Sequence, residues 1–154
     1  MRIILLAAVV LVLCVSALAA DKPDFSGTWR ADTAGSAGEP LIIEQNGDEL
    51  TIRCGDSGPA GKTDVACNTM GKECKGTLGG DSVSVSYWYN GPALIEMAIE
   101  GKNRDRVTET RRRLSEDGQK MLVEVITIVP TGKDIEKLVL SRDRQVAGGT
   151  TVAP

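Results

Sequence analysis

The chain of 154 residues contains no histidine. That absence removes the Ser-His-Asp and Cys-His nucleophilic systems, most zinc hydrolase sites and the commonest general base. Aromatic residues are scarce: two Trp, two Tyr and one Phe. The stacking platforms that hold single-stranded nucleic acid are therefore missing. Beyond residue 19 no run is long and apolar enough to cross a bilayer as a helix. No window of about 11 residues carries a helical apolar stripe. Calcium-loop ligand spacing does not occur, and nothing in the sequence implies a cofactor or a metal.

What is present begins with MRIILLAAVVLVLCVSALAA. Arg2 forms a short basic region, Ile3 to Val15 are apolar, and Ala17-Leu18-Ala19 places small residues at the spacing of a cleavage site. We read residues 1–19 as a signal peptide cleaved after Ala19 or Ala20, ahead of the polar Asp21-Lys22-Pro23. An uncleaved anchor and a lipoprotein at Cys14 are the alternatives. The second has Leu13 where lipoprotein signals carry a small residue. Removal of the leader takes Arg2 with it and leaves 17 basic residues against 21 acidic ones, a net charge of −4. Such a chain has no global attraction for nucleic acid or for an anionic membrane. The expectation is a soluble secreted or periplasmic protein.

Cysteine usage fits an oxidising compartment. Cys14 leaves with the leader, so Cys54, Cys67 and Cys74 remain. In Glu49-Leu50-Thr51-Ile52-Arg53-Cys54 the apolar residues alternate, which puts Cys54 on a buried face with Leu50 and Ile52. Cys67 and Cys74 flank the polar NTMGKE, so we expect a Cys67–Cys74 bridge across a short loop. Pairing of Cys54 with one of the other two remains open, because geometry decides it.

From residue 24 onward the apolar period is two. Turn signals recur at Gln45-Asn46-Gly47-Asp48, Tyr89-Asn90-Gly91-Pro92, Ser115-Glu116-Asp117-Gly118 and Pro130-Thr131-Gly132-Lys133. Asn-Gly and Asp-Gly tolerate the positive φ of tight hairpins. The pattern predicts strands at 25–31, 40–45, 49–54, 63–68, 81–89, 94–100, 105–114, 120–129 and 134–142. The loops are placed at 32–39 and 69–80. The last five strands follow one another closely, as in a meander. The expected fold is all-β, an antiparallel up-and-down barrel of about eight or nine strands, because closure removes exposed edges. It occupies residues 20–142 and is followed by a disordered tail at 143–154.

Three groups are candidates for chemistry. Glu96 with Glu100, and Asp105 with Glu109, share strand faces as a glycosidase pair would, but we assign them to a solvated sheet face. Arg104, Arg106, Arg111, Arg112 and Arg113 form a basic cluster. On a strand Arg111 and Arg113 point one way and Arg112 the other. We place Arg111 and Arg113 among the candidate ligand contacts, against the plainer reading of a charge-balanced exposed edge. Tyr87-Trp88-Tyr89 is the aromatic cluster. Tyr87 and Tyr89 share the face of Val83 and Val85, and with Met97 they are candidates to line a cavity. Filling of the barrel by side chains is the alternative.

DFSGTWR at 24–30 resembles the first-strand G-x-W of the lipocalin and calycin families. In those families the Trp closes the base of the barrel and an Arg from the last strand packs across it. The resemblance assigns these structural roles to Trp29 and to Arg142, which follows Leu138 and Leu140 on one face of KLVLSR. More loosely, DFSGTW, CNTMGKEC, YWYNGPAL and RLSEDGQKMLVEV are similar to a set of small secreted bacterial proteins with no established activity. The chain departs from lipocalins in lacking a helix after the barrel, and from fatty-acid-binding relatives in having a loop at 32–39 where they have a helical lid. The resemblance implies architecture and a small apolar or amphipathic ligand of unstated identity. The competing expectation is a solid barrel that acts through its surface, as an inhibitor or envelope interaction module.

Overall fold

A computed structural model describes residues 22–32, 39–54, 63–78, 81–100 and 104–143. The leader at 1–19, most of the loop at 32–39 and the tail beyond Asp143 lie outside the described residues. Among these the chain forms β1 (Gly27–Ala31), β2 (Leu41–Asn46), β3 (Glu49–Cys54), β4 (Thr63–Asn68) and β5 (Cys74–Leu78). It continues as β6 (Asp81–Asn90), β7 (Ala93–Glu100), β8 (Arg106–Leu114), β9 (Lys120–Val129) and β10 (Gly132–Arg142). Every strand pairs antiparallel with its sequence neighbours, and β1 also pairs with β10, closing an up-and-down barrel.

Ten strands replace the eight or nine expected. The addition is β5, within the stretch read as a loop at 69–80. The sequence Cys74-Lys75-Gly76-Thr77-Leu78 has low strand propensity at its centre, since glycine offers no side chain to pack. Gly76 is there because β4 lies too close for anything larger. A Cβ at Gly76 would sit 2.5 Å from Cγ2 of the buried Val65. Gly76→Ala should therefore destabilise the fold by about 1–3 kcal/mol through overpacking. Urea unfolding checks this, and a companion Val65→Ala that recovers part of the loss identifies the clash. The β4–β5 ladder is short, with Asp64 opposite Thr77, and the Cys67–Cys74 disulfide ties the same two strands together. Cys54 stands outside that bridge and is partly exposed at the end of β3, not fully buried as the alternation suggested.

Strand alternation sorts the side chains into an inner and an outer set. The inner set makes one core around Phe25, Trp29, Leu50, Ile52, Tyr87 and Leu94. One end of the barrel is shut by the chain that enters β1. Phe25 and Trp29 are completely buried, and Trp29 Nε1–H donates to the Phe25 carbonyl at 3.0 Å. Trp29 lies opposite Arg142 across the β1–β10 seam, with the guanidinium carbon 4.6 Å from the ring centroid. That stack is favourable because the indole face is electron-rich. Gly27 makes room for it: φ is +141°, and a Cβ would meet Arg142 Nη1 at 3.4 Å. Further contacts fix the entering segment. The Tyr89 hydroxyl donates to the Pro23 carbonyl at 3.2 Å, and the Phe25 N–H donates to Gln45 Oε1 at 3.3 Å. Lys22 pairs with Asp48.

Candidate ligand site on the inner wall

The inner face of β7 carries Leu94, Glu96 and Ala98, which lie opposite Tyr89, Tyr87 and Val85 of β6. On the other side they lie opposite Arg112, Thr110 and Thr108 of β8. A buried polar group therefore sits inside an otherwise aliphatic core. Arg112 and Glu96 are each 7% exposed and form a salt bridge of 2.8 Å between Nη2 and Oε2. The Tyr87 hydroxyl belongs to the same group. Burial first, and then the neighbouring Glu96 charge, push its pKa well above the usual tyrosine value. The guanidinium is only partly satisfied: Nε and Nη1 are buried and have no acceptor among the described protein atoms. Buried donors of this kind normally find a partner, since leaving one unpaired costs about 1–3 kcal/mol.

This geometry revises the expected arrangement of site residues. Arg112 is the arginine that faces inward, while Arg111 and Arg113 are exposed on the outer face of β8. Met97 also faces outward, opposite Ser86 and Glu109. The strand ALIEMAIE is apolar on both faces, so alternation alone did not reveal which set was inner. Glu96, assigned to a solvated face, is one of the inner residues. Tyr87 is buried in the core and Tyr89 is partly exposed near the closed end. Glu109 meets Arg111 at 2.6 Å on the outside, which accounts for its charge without any catalytic role. The signal for Arg112 was in the sequence, as the odd member of the Arg111-Arg112-Arg113 run. Its direction required the register.

Beyond the closed end the inner wall changes character. β10 runs on past β1, which ends at Ala31 opposite Leu140. Along this stretch the inward side chains are incompletely covered. Val125, Leu138 and Leu140, together with Leu41 on β2, are only partly buried against the core, and the inward Glu136 and Asp134 are exposed. Arg112 adjoins this wall, because Arg112, Val123 and Leu138 form one rung across β8, β9 and β10. A partly covered aliphatic surface, with unsatisfied arginine donors beside it, suits a molecule with an apolar body and an oxygen-bearing head.

A second hollow lies outside the barrel at its closed end. It encloses about 670 Å³ and is lined by Asp24, Ser26, Gly27, Thr28, Gln119, Arg142 and Asp143. Its charged groups are already engaged. Arg142 donates from Nε to the Gly118 carbonyl at 3.1 Å as well as stacking on Trp29. Asp143 pairs with Arg30 at 2.8 Å, and hydrogen bonds from Ser26, its hydroxyl and its backbone N–H, hold the Asp24 carboxyl below its usual range. Among the described residues its lining holds no buried side-chain donor or acceptor without a partner, so it is a poorer candidate than the inner wall. Among the described residues no three His, Cys, Asp or Glu side chains gather as metal ligands would.

The fold and site together define the chain as a closed, ten-stranded antiparallel β-barrel with a disulfide between neighbouring strands. Compared with the models of known protein families and with curated protein sequences, the chain matches none.

Proposed function

We propose that this is an exported, lipocalin-like barrel that binds a small amphipathic ligand along the inner faces of β8–β10 and β2. The observation that carries the reading is the incompletely covered aliphatic wall of Leu41, Val125, Leu138 and Leu140. A folded chain normally covers such side chains, and burying each one fully would be worth about 1.5–3 kcal/mol. A ligand that lay on this wall would gain part of that energy. Its polar end would be a neutral or singly charged oxygen group. Glu96 already supplies the counter-charge of Arg112, so the donors Nε and Nη1 need acceptor atoms more than a further negative charge. Export is supported by the signal-peptide pattern and by the Cys67–Cys74 bridge, which forms readily outside the reducing cytosol.

The test is native mass spectrometry of protein purified from its host, together with thermal shift against decanol and decanoate. A co-purified amphiphile, or a midpoint raised by either probe, is the expected result. Protein that carries nothing and responds to neither probe would sink the reading.

One observation favours the other reading, a barrel that acts through its surface as an inhibitor or interaction module. The disulfide braces a loop whose Met70 is 67% exposed, and Met70 is held against the sheet by a bridge to Trp88. A large apolar side chain at a braced tip is how an inhibitory loop would present itself. Pull-down from a periplasmic or culture extract, lost in Met70→Ser, would support that reading.

A further inference from the structure

The outer surface of the barrel is divided. On β2–β4 it carries Glu44, Glu49 and Asp64 against Arg53. The outer face of β8–β10 is different. It holds the aliphatic residues Val107, Leu122, Ile126, Ile128, Ile135 and Val139. Four of these are large and exposed to water: Leu122 at 52%, Ile135 at 51%, Ile128 at 44% and Val139 at 40%. Leu122 and Val139 form a cross-strand pair, and Ile128 lies near Ile135, whose own partner Ile126 is buried beneath the face. The same face bears Arg111, Arg113, Lys120, Lys133 and Lys137 against Glu109 and Glu124, and Lys120 is paired with Asp32 at its edge, which leaves a local charge of +2 in an acidic chain. Both glutamates are consumed within the face, by Arg111 at 2.6 and 3.5 Å and by Lys137 at 3.4 Å. Among the described residues Arg113 and Lys133 form no salt bridge.

We propose that this outer face of β8–β10 is a docking surface for an anionic lipid bilayer. Exposed aliphatic side chains interleaved with cations are the composition that binds an interface carrying negative headgroups. A second copy of the chain is a poor occupant, because it would present the same positive face. The outside of a closed barrel is also convex and offers a partner no groove. A deformable lipid surface can follow that curvature. The acidic inner residues Asp134 and Glu136 of the same hairpin point away from the docked face. The chain's net charge of −3 does not reveal this local excess.

The experiment uses the chain from residue 20 onward, which contains every strand of the barrel. Flotation is compared on vesicles of phosphatidylcholine alone and of phosphatidylcholine with phosphatidylglycerol in equal parts. The expected result is retention on the second and not the first. Arg113→Gln with Lys133→Gln should weaken partitioning about fivefold per cation removed, and added salt should weaken it further. Ile128→Ser with Ile135→Ser should also release the protein. All four positions are exposed, so the variants should keep the wild-type circular dichroism spectrum. No retention on the anionic vesicles, equal retention on both kinds, or retention that both variants preserve would overturn the proposal. So would a lipid-free dimer that the Ile128→Ser/Ile135→Ser variant dissociates, which would assign the face to self-association. Binding to polyglutamate that the same variant leaves unchanged would assign it to an acidic protein.

Discussion

Trp29→Ala should lower the unfolding free energy by about 3–5 kcal/mol, a large share of what a domain of this size possesses. The side chain is completely buried at the closed end. Its removal leaves a hole beneath Arg142, deletes the bond from Nε1–H to the Phe25 carbonyl, and strips the guanidinium of the ring on which it lies. β1 has only five residues, between Gly27 and Ala31, so few other contacts can hold the seam with β10. Trp29→Phe separates the contributions, because it retains a ring but loses the donor. Arg142→Met should cost less, about 0.5–2 kcal/mol for the cation–ring contact. Urea unfolding monitored by circular dichroism reads all three. A loss below about 1 kcal/mol for Trp29→Ala would mean that the seam does not depend on this plug.

The second large effect concerns the buried ion pair. Arg112→Met alone should cost about 3–5 kcal/mol, because it leaves the Glu96 carboxylate buried without its counter-charge. Glu96→Leu combined with Arg112→Met should be milder, within about 2 kcal/mol of the wild type, since an aliphatic pair carries no desolvation cost and the main loss is the Glu96 acceptor of the buried Tyr87 hydroxyl. The orphaned Nε and Nη1 strengthen that expectation, as the wild-type pair includes donors that receive no compensation. If the double variant is stable but no longer responds to decanol or decanoate, the pair serves the ligand. If the response persists, the pair is a feature of the core alone.

Much of the architecture was legible because hairpin chemistry is local. Asn46-Gly47, Asn90-Gly91 and Asp117-Gly118 each mark a connection between adjacent strands, and in all three the glycine has positive φ. β5 was not legible, because its glycine answers to a contact with Val65, a residue far away in the unfolded chain but adjacent across the sheet. The inner site was harder to read for a related reason. In β7 apolar residues occupy both faces, and the inner one includes a glutamate. Binary patterning assigns such a residue to solvent. Only the register with β8, which brings Arg112 to Glu96, shows that the charge is answered within the barrel. The outer face of β8–β10 was not legible either: in β9 and β10 apolar residues fall on both alternating sets, so pattern alone does not say that Leu122, Ile128, Ile135 and Val139 face out.

The most direct test of the central claim is an NMR titration of the methyl-labelled protein with decanol. If the inner wall is the ligand site, the methyl shifts concentrate on Leu41, Val125, Leu138 and Leu140, and the Arg112 side-chain signals move with them. Shifts confined to Ile128, Ile135 and the rest of the outer face, or no shifts at saturating probe, would contradict the account.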